Sequence, residues 1–356
     1  MKKIFFTPGP TQLYESVPKY INEAIDNNIC SISHRGKEFE QIFQHTASSL
    51  KQLLNIPNEL HIFFTSSSTE SMERVIENCV AQFSYHFVNG AFSKRFFDTA
   101  QELKKFPEKL EVDLGQGFDF SSVEIPERTE LICFTQNETS TGVSIDMNEI
   151  YTIKKKNLDK LIVVDIVSSA PYADIDYELV DCTFFSVQKG FGLPAGLGVI
   201  IVNDKVIDKS KFLRDNNYNI GSYHNFVSLL RSEEKSQTPE TPNVFGIFLL
   251  GKICDELNKI GISQIRKDTE KKSEMIYNFF DEHPNYKPFV QNKNFRSKTV
   301  VTINTLNDTN NIIQRLAENG FVVGSGYKEF KEKQIRIANF PMHKIKDVER
   351  MLGYIE

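Results

Sequence analysis

The segment FFSVQKGFGLPAGLGVIIV, residues 184–202, joins two apolar runs through a basic residue and a series of glycines. Both runs are rich in β-branched and aromatic residues, which is typical of strands that a sheet buries on both faces. Lys189 follows the first run directly. Because lysine is rarely buried without a partner, its place at the end of a buried strand suggests chemistry beyond packing.

Similar apolar runs alternate with helical patterns through residues 60–203. This β-then-α order predicts an α/β fold with an open, mostly parallel sheet that is covered by helices. Helical segments such as TESMERVIENCVAQ (69–82) lie between the runs. The seven strand candidates are LHIFFTS (60–66), SYHFVNG (84–90), KLEVDLG (109–115), LICFTQN (131–137), KLIVVDIVSS (160–169), CTFFSVQ (182–188) and GLGVIIVN (196–203).

The pattern changes after about residue 240, where two long helices precede a smaller set of strands and helices. We therefore predict a large domain over residues 15–245 and a smaller α/β domain formed by residues 1–14 and 246–356. Residues 203–231 show no clear period and are predicted to be loop.

Composition limits the possible partners. The 356 residues are 40% hydrophobic and 25% charged, with a net charge of −5. The absence of a broad basic field argues against nucleic acid or an anionic membrane as a partner. No apolar window reaches the ~18 residues of a spanning helix, and MKKIFFTPGP lacks the apolar core of a signal peptide. The five cysteines form no CxxC pair, so we expect reduced thiols, no metal site and a cytoplasmic protein.

The carboxyl ends of the predicted strands bring several functional groups to one edge of the sheet, where open α/β folds bind ligands. Each group also has a plain structural explanation: the hydroxyls could cap a helix, Phe92 could be core, and the polar segment could be a simple turn. The groups are the hydroxyls of residues 65–69, Phe92, the turn NETSTG (137–142), Asp165, Gln188 and Lys189.

Together these groups match the needs of pyridoxal 5'-phosphate. Its phosphate suits a helix N-terminus, its pyridinium ring needs a carboxylate, and its aldehyde needs a lysine. A partly desolvated lysine can lose its proton and act as an amine nucleophile. A dinucleotide is less consistent with the sequence, because no GxGxxG opens a helix after a strand, and no P-loop is present.

Seven short motifs of this chain occur in the same order, and at about the same spacing, as in a known family. On these motifs, the chain resembles the class V aminotransferases, and within them the phosphoserine aminotransferase branch. The resemblance implies the type I fold of pyridoxal-phosphate-dependent transferases, with a mostly parallel seven-stranded sheet in the large domain. The motifs are FFTPGPT (5–11), SISHRGKEFEQI (31–42), SSSTESME (66–73), NGAFSKR (89–95), NETSTG (137–142), VVDIVSS (163–169) and SVQKG (186–190).

The resemblance also implies roles for individual residues toward the cofactor. Lys189 would bind the cofactor's aldehyde and later move a proton, and Asp165 would pair with the ring nitrogen. Phe92 would stack on the ring, where the family often has tryptophan. The remaining cofactor residues would be Thr139 on the ring oxygen, Ser68, Thr69 and Gln188 on the phosphate, and Thr238 reaching the phosphate from the other subunit.

Three residues are implied to bind the substrate. Arg336 would bind the α-carboxylate, and His34 with Arg35 would bind the phosphate of phosphoserine. Without the resemblance, Arg336 is also compatible with a surface strand, and the His34–Arg35 pair with a loop salt bridge to Glu38 or Glu40. The family's second His-Arg pair is missing, and Tyr327 and Lys328 lie nearest its position.

The resemblance thus implies a homodimer with shared active sites that acts on small amino acids and 2-oxo acids. It would transfer an amino group from L-glutamate to 3-phosphohydroxypyruvate in serine biosynthesis. The alternative within the family is an alanine– or serine–glyoxylate aminotransferase, which TPGPT (7–11) favours. A cysteine desulfurase is disfavoured because no cysteine follows Cys254. A catalytically idle dimer is disfavoured by the presence of both Lys189 and Asp165.

Overall fold

The strands of the computed structural model, which describes residues 3–355, form one large sheet, one smaller sheet and a short two-stranded ribbon. They are β1 (Ile4–Phe6), β2 (His61–Thr65), β3 (Phe83–Val88), β4 (Phe106–Glu111), β5 (Leu131–Thr135), β6 (Asn137–Glu138), β7 (Val143–Ser144), β8 (Leu161–Asp165), β9 (Cys182–Ser186), β10 (Gly198–Val202), β11 (Lys287–Pro288), β12 (Val300–Asn304), β13 (Phe321–Ser325) and β14 (Gln334–Ala338).

The large sheet has seven strands in the order β2-β10-β9-β8-β5-β3-β4. Only β10 runs antiparallel to its neighbours, β2 and β9, and every other pair is parallel. All seven strand candidates contribute a strand to this sheet, so the predicted α/β class and the mostly parallel seven-stranded sheet are confirmed.

Eleven α-helices accompany the sheets within the described residues. They are α1 (Val17–Asp26), α2 (Lys37–Leu54), α3 (Ser68–Cys79), α4 (Ala91–Glu102), α5 (Met147–Lys156), α6 (Asp204–Asp215), α7 (Phe226–Glu233), α8 (Val244–Ile260), α9 (Ile262–Glu282), α10 (Thr309–Glu318) and α11 (Ile345–Leu352). None of the helices described between residues 3 and 355 is long and apolar enough to cross a membrane.

Both faces of the large sheet are buried, which explains its continuous apolar strands. In β2, Ile62 and Phe64 belong to a core that also contains residues of α2 and α8. The intervening Phe63 belongs to a second core with residues of α3, α6 and α7. Since neighbouring side chains on a strand point to opposite faces, every position of such a strand must be apolar.

The smaller sheet has the order β1-β13-β14-β12-β11, and its core includes residues of α9, α10 and α11. The N-terminal strand therefore joins strands from the end of the chain, and β1 is parallel to β13. The domain limits 15–245, and 1–14 with 246–356, remain a prediction.

The prediction of a loop over residues 203–231 is wrong, because α6 and most of α7 lie there. Asn203 and Asn225 cap these helices, each accepting a hydrogen bond from a backbone N–H three residues later. The buried face of α6 is short, consisting of Val206, Ile207, Ser210 and Leu213. A serine within this face weakens the hydrophobic period, which hides the helix from a pattern search.

Candidate active site

A cavity of about 430 Å³ lies at the carboxyl ends of the large sheet's strands and reaches the smaller sheet. Its volume is within the ~300–1,000 Å³ usual for small-molecule sites. Eight of the predicted site residues line it together: Ser68, Thr69, Phe92, Thr139, Asp165, Gln188, Lys189 and Arg336.

Lys189 lies at the centre of this cavity's polar contacts. Its side chain is buried, and Nζ donates a hydrogen bond of 2.9 Å to Oγ1 of Thr139. The same Nζ lies 5.2 Å from the centroid of the Phe92 ring. Burial lowers the pKa of Lys189, and the attraction of Asp165 and Glu138 only partly opposes this effect. The lysine therefore loses its proton more readily than a solvated one.

Gly9, in the segment Thr7–Pro10 that also lines the cavity, packs directly on the lysine. Its φ of 137° is outside the range that other residues adopt easily, and a Cβ there would lie 2.9 Å from Cε of Lys189. Only glycine combines this backbone conformation with this close approach. The N-terminal segment thus restricts the side chain of Lys189.

Asp165 is the last residue of β8 and is almost fully buried. Its Oδ1 accepts a hydrogen bond of 2.8 Å from the backbone N–H of Val167. Within residues 3–355, Oδ2 makes no hydrogen bond. Burial raises the pKa of Asp165, against the hydrogen bond from Val167 and the attraction of Lys189. A cation placed beside the free oxygen would restore the charge of the carboxylate.

The first turn of α3 forms a group of hydroxyls, residues Ser67 to Thr69, which we call the hydroxyl cup. Ser67 is the N-cap of α3, and its side chain accepts a hydrogen bond of 3.1 Å from the N–H of Glu70. The N–H of Ser68 donates to Oγ of Ser186 at 2.9 Å. All three cup residues line the cavity. Ser67 thus caps α3, and the cup faces the cavity from a helix N-terminus, which is the kind of position that favours an anion.

Glu138 is a part of the site that the sequence did not single out. Its side chain is 0% exposed and accepts hydrogen bonds from the backbone N–H groups of Phe92 (3.0 Å), Ser93 (2.9 Å) and Ser140 (3.0 Å). The carboxylate thus fixes the start of α4 to the NETSTG turn. A Cβ on Gly90 would lie 2.3 Å from its Cγ, so glycine is required for this close contact.

Arg336 extends from β14 into the cavity. Its neighbours Ile335 and Ile337 are fully buried on the opposite face. Nε donates to the carbonyl of Ser325 at 2.9 Å, and Nη1 donates to that of Thr139 at 3.2 Å. No hydrogen bond of Nη2 occurs in the described chain, so this nitrogen is available to a ligand carboxylate. Burial lowers the pKa of Arg336, which makes an anionic partner favourable.

Of the two residues nearest the missing His-Arg pair, only Tyr327 lines the cavity, and Lys328 is exposed. The Tyr327 ring lies 5.6 Å from the ring of Phe92 and 5.5 Å from the guanidinium of Arg336. Tyr327 therefore places an aromatic ring beside both Phe92 and Arg336, at the position nearest the family's second His-Arg pair.

Three predicted residues, His34, Arg35 and Thr238, do not line this cavity; they lie together at another site in the same chain. Arg35 donates to the carbonyls of Thr238 and Pro239 at 2.8 and 2.9 Å, and to Oε1 of Gln237 at 3.0 Å. Its loop salt bridge with Glu38 or Glu40 is not found in the described chain.

Thr238 itself is buried in a short turn, and His34 completes the group around it. Oγ1 of Thr238 donates to the carbonyl of Glu240 at 2.7 Å, and Nδ1 of His34 lies 3.4 Å from Oγ1 of Thr241. We call residues 237–241 the Thr238 loop. The single chain thus leaves three of the eleven predicted residues away from Lys189.

The residues of the cavity fit pyridoxal phosphate. Oδ2 of Asp165 and the buried Oε1 of Gln188 are polar atoms without a hydrogen-bond partner in the described chain. A lysine, an aromatic ring and the hydroxyl cup complete the set of groups that this cofactor requires.

A larger cavity of about 770 Å³ shares Asn137 with the site but lacks its chemistry. The two arginines that line it are already paired: Arg266 with Asp174 at 3.0 Å, and Arg296 with Asp281 at 2.8 Å. Its volume alone does not indicate a function.

Comparisons with known proteins agree with this chemistry. The family model described as aminotransferase class-V matches residues 4–331. The crystal structure of a phosphoserine aminotransferase from Cytophaga hutchinsonii is 44% identical, with a TM-score of 0.98 over 99% of this chain and 98% of that chain.

More distant relatives are similar over the same length. A phosphoserine aminotransferase of Rhodococcus opacus is 24% identical over 99% of this chain and 94% of its own length. An alanine–glyoxylate aminotransferase from Nostoc sp. is 20% identical, with a TM-score of 0.83 over 100% of this chain and 95% of that chain. At this identity the likeness concerns the fold alone, and it agrees with the predicted fold type.

Proposed function

The chain belongs to the class V aminotransferases, a pyridoxal-phosphate-dependent family, and we propose that it transfers an amino group between L-glutamate and 3-phosphohydroxypyruvate. The products are O-phospho-L-serine and 2-oxoglutarate. The observation that carries this proposal is the 44% identity, over 99% of the chain, to a solved structure called a phosphoserine aminotransferase. We also propose a cytoplasmic location, which the unpaired cysteines support.

Bound pyridoxal phosphate supplies an electron sink for the electrons released when a substrate loses its Cα proton. The proposed role of Lys189 is to hold the cofactor and then move that proton. Burial lowers the pKa of Lys189 to about 8, so a larger fraction of its amine is neutral near physiological pH than in a solvated lysine, and the neutral form is the one that acts as a base. Thr139 orients the amine through its hydrogen bond of 2.9 Å.

The other cavity residues bind the charged groups of the cofactor and the substrate. The free Oδ2 of Asp165 would pair with the protonated ring nitrogen of the cofactor, and Phe92 would pack against its ring. The hydroxyl cup and Gln188 hold the phosphate. Arg336 presents Nη2 to the α-carboxylate while Ser325 and Thr139 hold its other nitrogens. This arrangement fixes the Cα of the substrate close to Lys189.

We propose a homodimer because the site within one chain lacks Thr238, His34 and Arg35. Arg35 is hydrogen-bonded to the Thr238 loop, so the two move together if that loop enters the partner's site. In such a dimer, one loop and one arginine serve the phosphate groups of the cofactor and the substrate in the partner. The unused Nε of Arg35 remains a donor for a phosphate.

Arg35→Ala is expected to lower kcat/KM for O-phospho-L-serine by about 10- to 100-fold, because a charge-assisted contact contributes ~1.5–3 kcal/mol. The value for L-glutamate should change less, since it carries no phosphate. Arg95→Ala, which removes an exposed arginine of α4, is the matched control. Equal losses for both substrates would remove Arg35 from phosphate recognition.

The visible spectrum of the purified protein tests the substrate. We expect a yellow protein whose absorption is bleached by low concentrations of L-phosphoserine and much less by L-alanine. Bleaching by L-alanine or L-serine, with no response to L-phosphoserine, would instead assign the chain to the glyoxylate branch. A protein that stays colourless with added pyridoxal phosphate would contradict both assignments.

A further inference from the structure

A buried histidine outside the cavity bridges two carboxylates from distant parts of the chain. His224 is 4% exposed. Its Nδ1 makes a short hydrogen bond with Oε1 of Glu70. On the other side, Nε2 lies 2.7 Å from Oε2 of Glu240. This contact is an ion pair, and its angles do not meet those of a hydrogen bond. We call these three residues the His224 bridge.

One end of the bridge supports the hydroxyl cup. Glu70 lies in the first turn of α3, directly after the cup. Its Oε2 accepts hydrogen bonds from the N–H and Oγ of Ser66, at 2.7 and 2.6 Å. Glu70 thus fixes the backbone that enters the cup while its other oxygen holds His224.

The other end of the bridge belongs to the Thr238 loop. The carbonyl of Glu240 accepts the hydrogen bond of Thr238 Oγ1 at 2.7 Å, so this residue shapes the turn that buries Thr238. Arg35 holds the same loop through two carbonyls. The loop is therefore fixed by a cation at each side.

The charges around His224 make it a cation. Although burial disfavours the charged ring, the contacts with Glu240 and Glu70 raise the pKa of His224 to about 9. Burial likewise opposes ionisation of Glu70, but the hydrogen bonds of His224 and Ser66 lower its pKa to about 2. The Tyr223 ring lies 4.1 Å from the His224 ring and is tilted by 33° against it. Arg74 and Glu77, which pair with each other, lie near Gly221, earlier in the same loop.

We propose that His224 is a positioning residue that ties the hydroxyl cup of one active site to the Thr238 loop that serves the partner's active site. The inference rests on the proposed function in one respect, the assignment of the loop to the partner. In a dimer, the hydroxyl cup would hold the cofactor phosphate of its own active site, and the Thr238 loop would hold that of the partner's site. The His224 bridge connects these two elements within one chain. Without the cation, Glu70 and Glu240 would face each other as like charges, and the loop would separate from α3.

The direction of the pH effect follows from the raised pKa. The ordinary pKa of histidine is about 6.5. Below that value the bridge contributes fully, and its contribution is lost as the pH rises through about 9. His224→Gln should remove this pH dependence from the exchange of the Thr238 loop with solvent.

The test compares His224→Gln and Glu240→Gln with a matched control elsewhere in the chain. His61 also bridges two carboxylates, Glu233 at 3.2 Å and Asp204 at 3.1 Å, but these belong to α7 and α6, not to the start of α3 or to the Thr238 loop. His61→Gln therefore measures the cost of losing such a bridge alone. The readouts on the full-length protein are hydrogen–deuterium exchange of residues 238–241 and the Kd of pyridoxal phosphate for the cofactor-free form.

In both bridge variants we expect loop exchange to accelerate and the Kd to rise, each at least about tenfold, because each variant loses a charged contact of the bridge. His61→Gln should leave both values unchanged. The proposal is overturned if either readout in His224→Gln matches that of His61→Gln, even where thermal stability falls. Neither of these two measurements uses an amino-acid substrate. If the chain were inactive on phosphoserine, the proposed substrate would be wrong, but the measured role of His224 would still stand.

Discussion

Lys189→Ala is expected to abolish transamination while the protein still folds and binds pyridoxal phosphate without a covalent bond. The substitution removes the only amine that the described chain places in the cavity. Loss of a positioned proton-transfer group alone lowers a rate by about 10²–10⁴-fold. The single-turnover rate constant of the reaction with L-glutamate, measured at saturating cofactor, gives the size of the loss.

Two controls separate this chemistry from damage to the fold. A small primary amine added to Lys189→Ala should restore part of the rate, because the lost side chain leaves space beside Thr139. Lys94→Ala, which removes a half-exposed lysine paired with Asp98 on α4, should keep the wild-type rate. Full activity in Lys189→Ala would reject the assignment of Lys189.

Asp165→Asn is expected to give the second largest loss. The amide oxygen can still accept the hydrogen bond of Val167, but the charge that faces the ring nitrogen is gone. Removing one partner of a buried charged pair costs about 3–5 kcal/mol, or roughly 10²- to 10⁴-fold in kcat. Steady-state kcat, measured at saturating pyridoxal phosphate, tests this expectation.

The matched control for Asp165→Asn is Asp181→Asn. Asp181 is equally buried and pairs with Lys154 at 2.8 Å, but it does not line the cavity. We expect this variant to lower the Tm and retain kcat. If Asp165→Asn behaved in the same way, the role of Asp165 would be structural.

The sequence predicts the large sheet well because burial on both faces leaves a long apolar run in its central strands β5, β8, β9 and β10, whereas the edge strand β4 is polar and partly exposed. It fails at α6 and α7, where the buried faces are short and Ser210 interrupts one of them. The signal that marks these helices is the cap: Asn203 and Asn225 each begin a helix with a side-chain hydrogen bond to a backbone N–H three residues later.

The cavity was predictable because each functional residue follows a strand whose carboxyl end faces the same edge. Lys189, Asp165 and the hydroxyl cup follow this rule. Glu138 and His224 do not, since their importance comes from contacts with residues far along the chain: Phe92 for Glu138, and Glu70 for His224. A glutamate in a polar turn or a histidine in a loop carries no local signal of this kind.

The pairing of β1 with β13 has a consequence for synthesis of the chain. Ile4 pairs with Phe321, so β1 can find its neighbour only after β13, far along the chain, has been made. Contacts of such long sequence separation form late and slow the search for the native topology. The strands of the large sheet all lie between β1 and β13 in the sequence, so their pairing does not require either of these two strands. Since Gly9 follows β1 and packs on Lys189, we expect the enclosure of this lysine to depend on the pairing of β1 with β13.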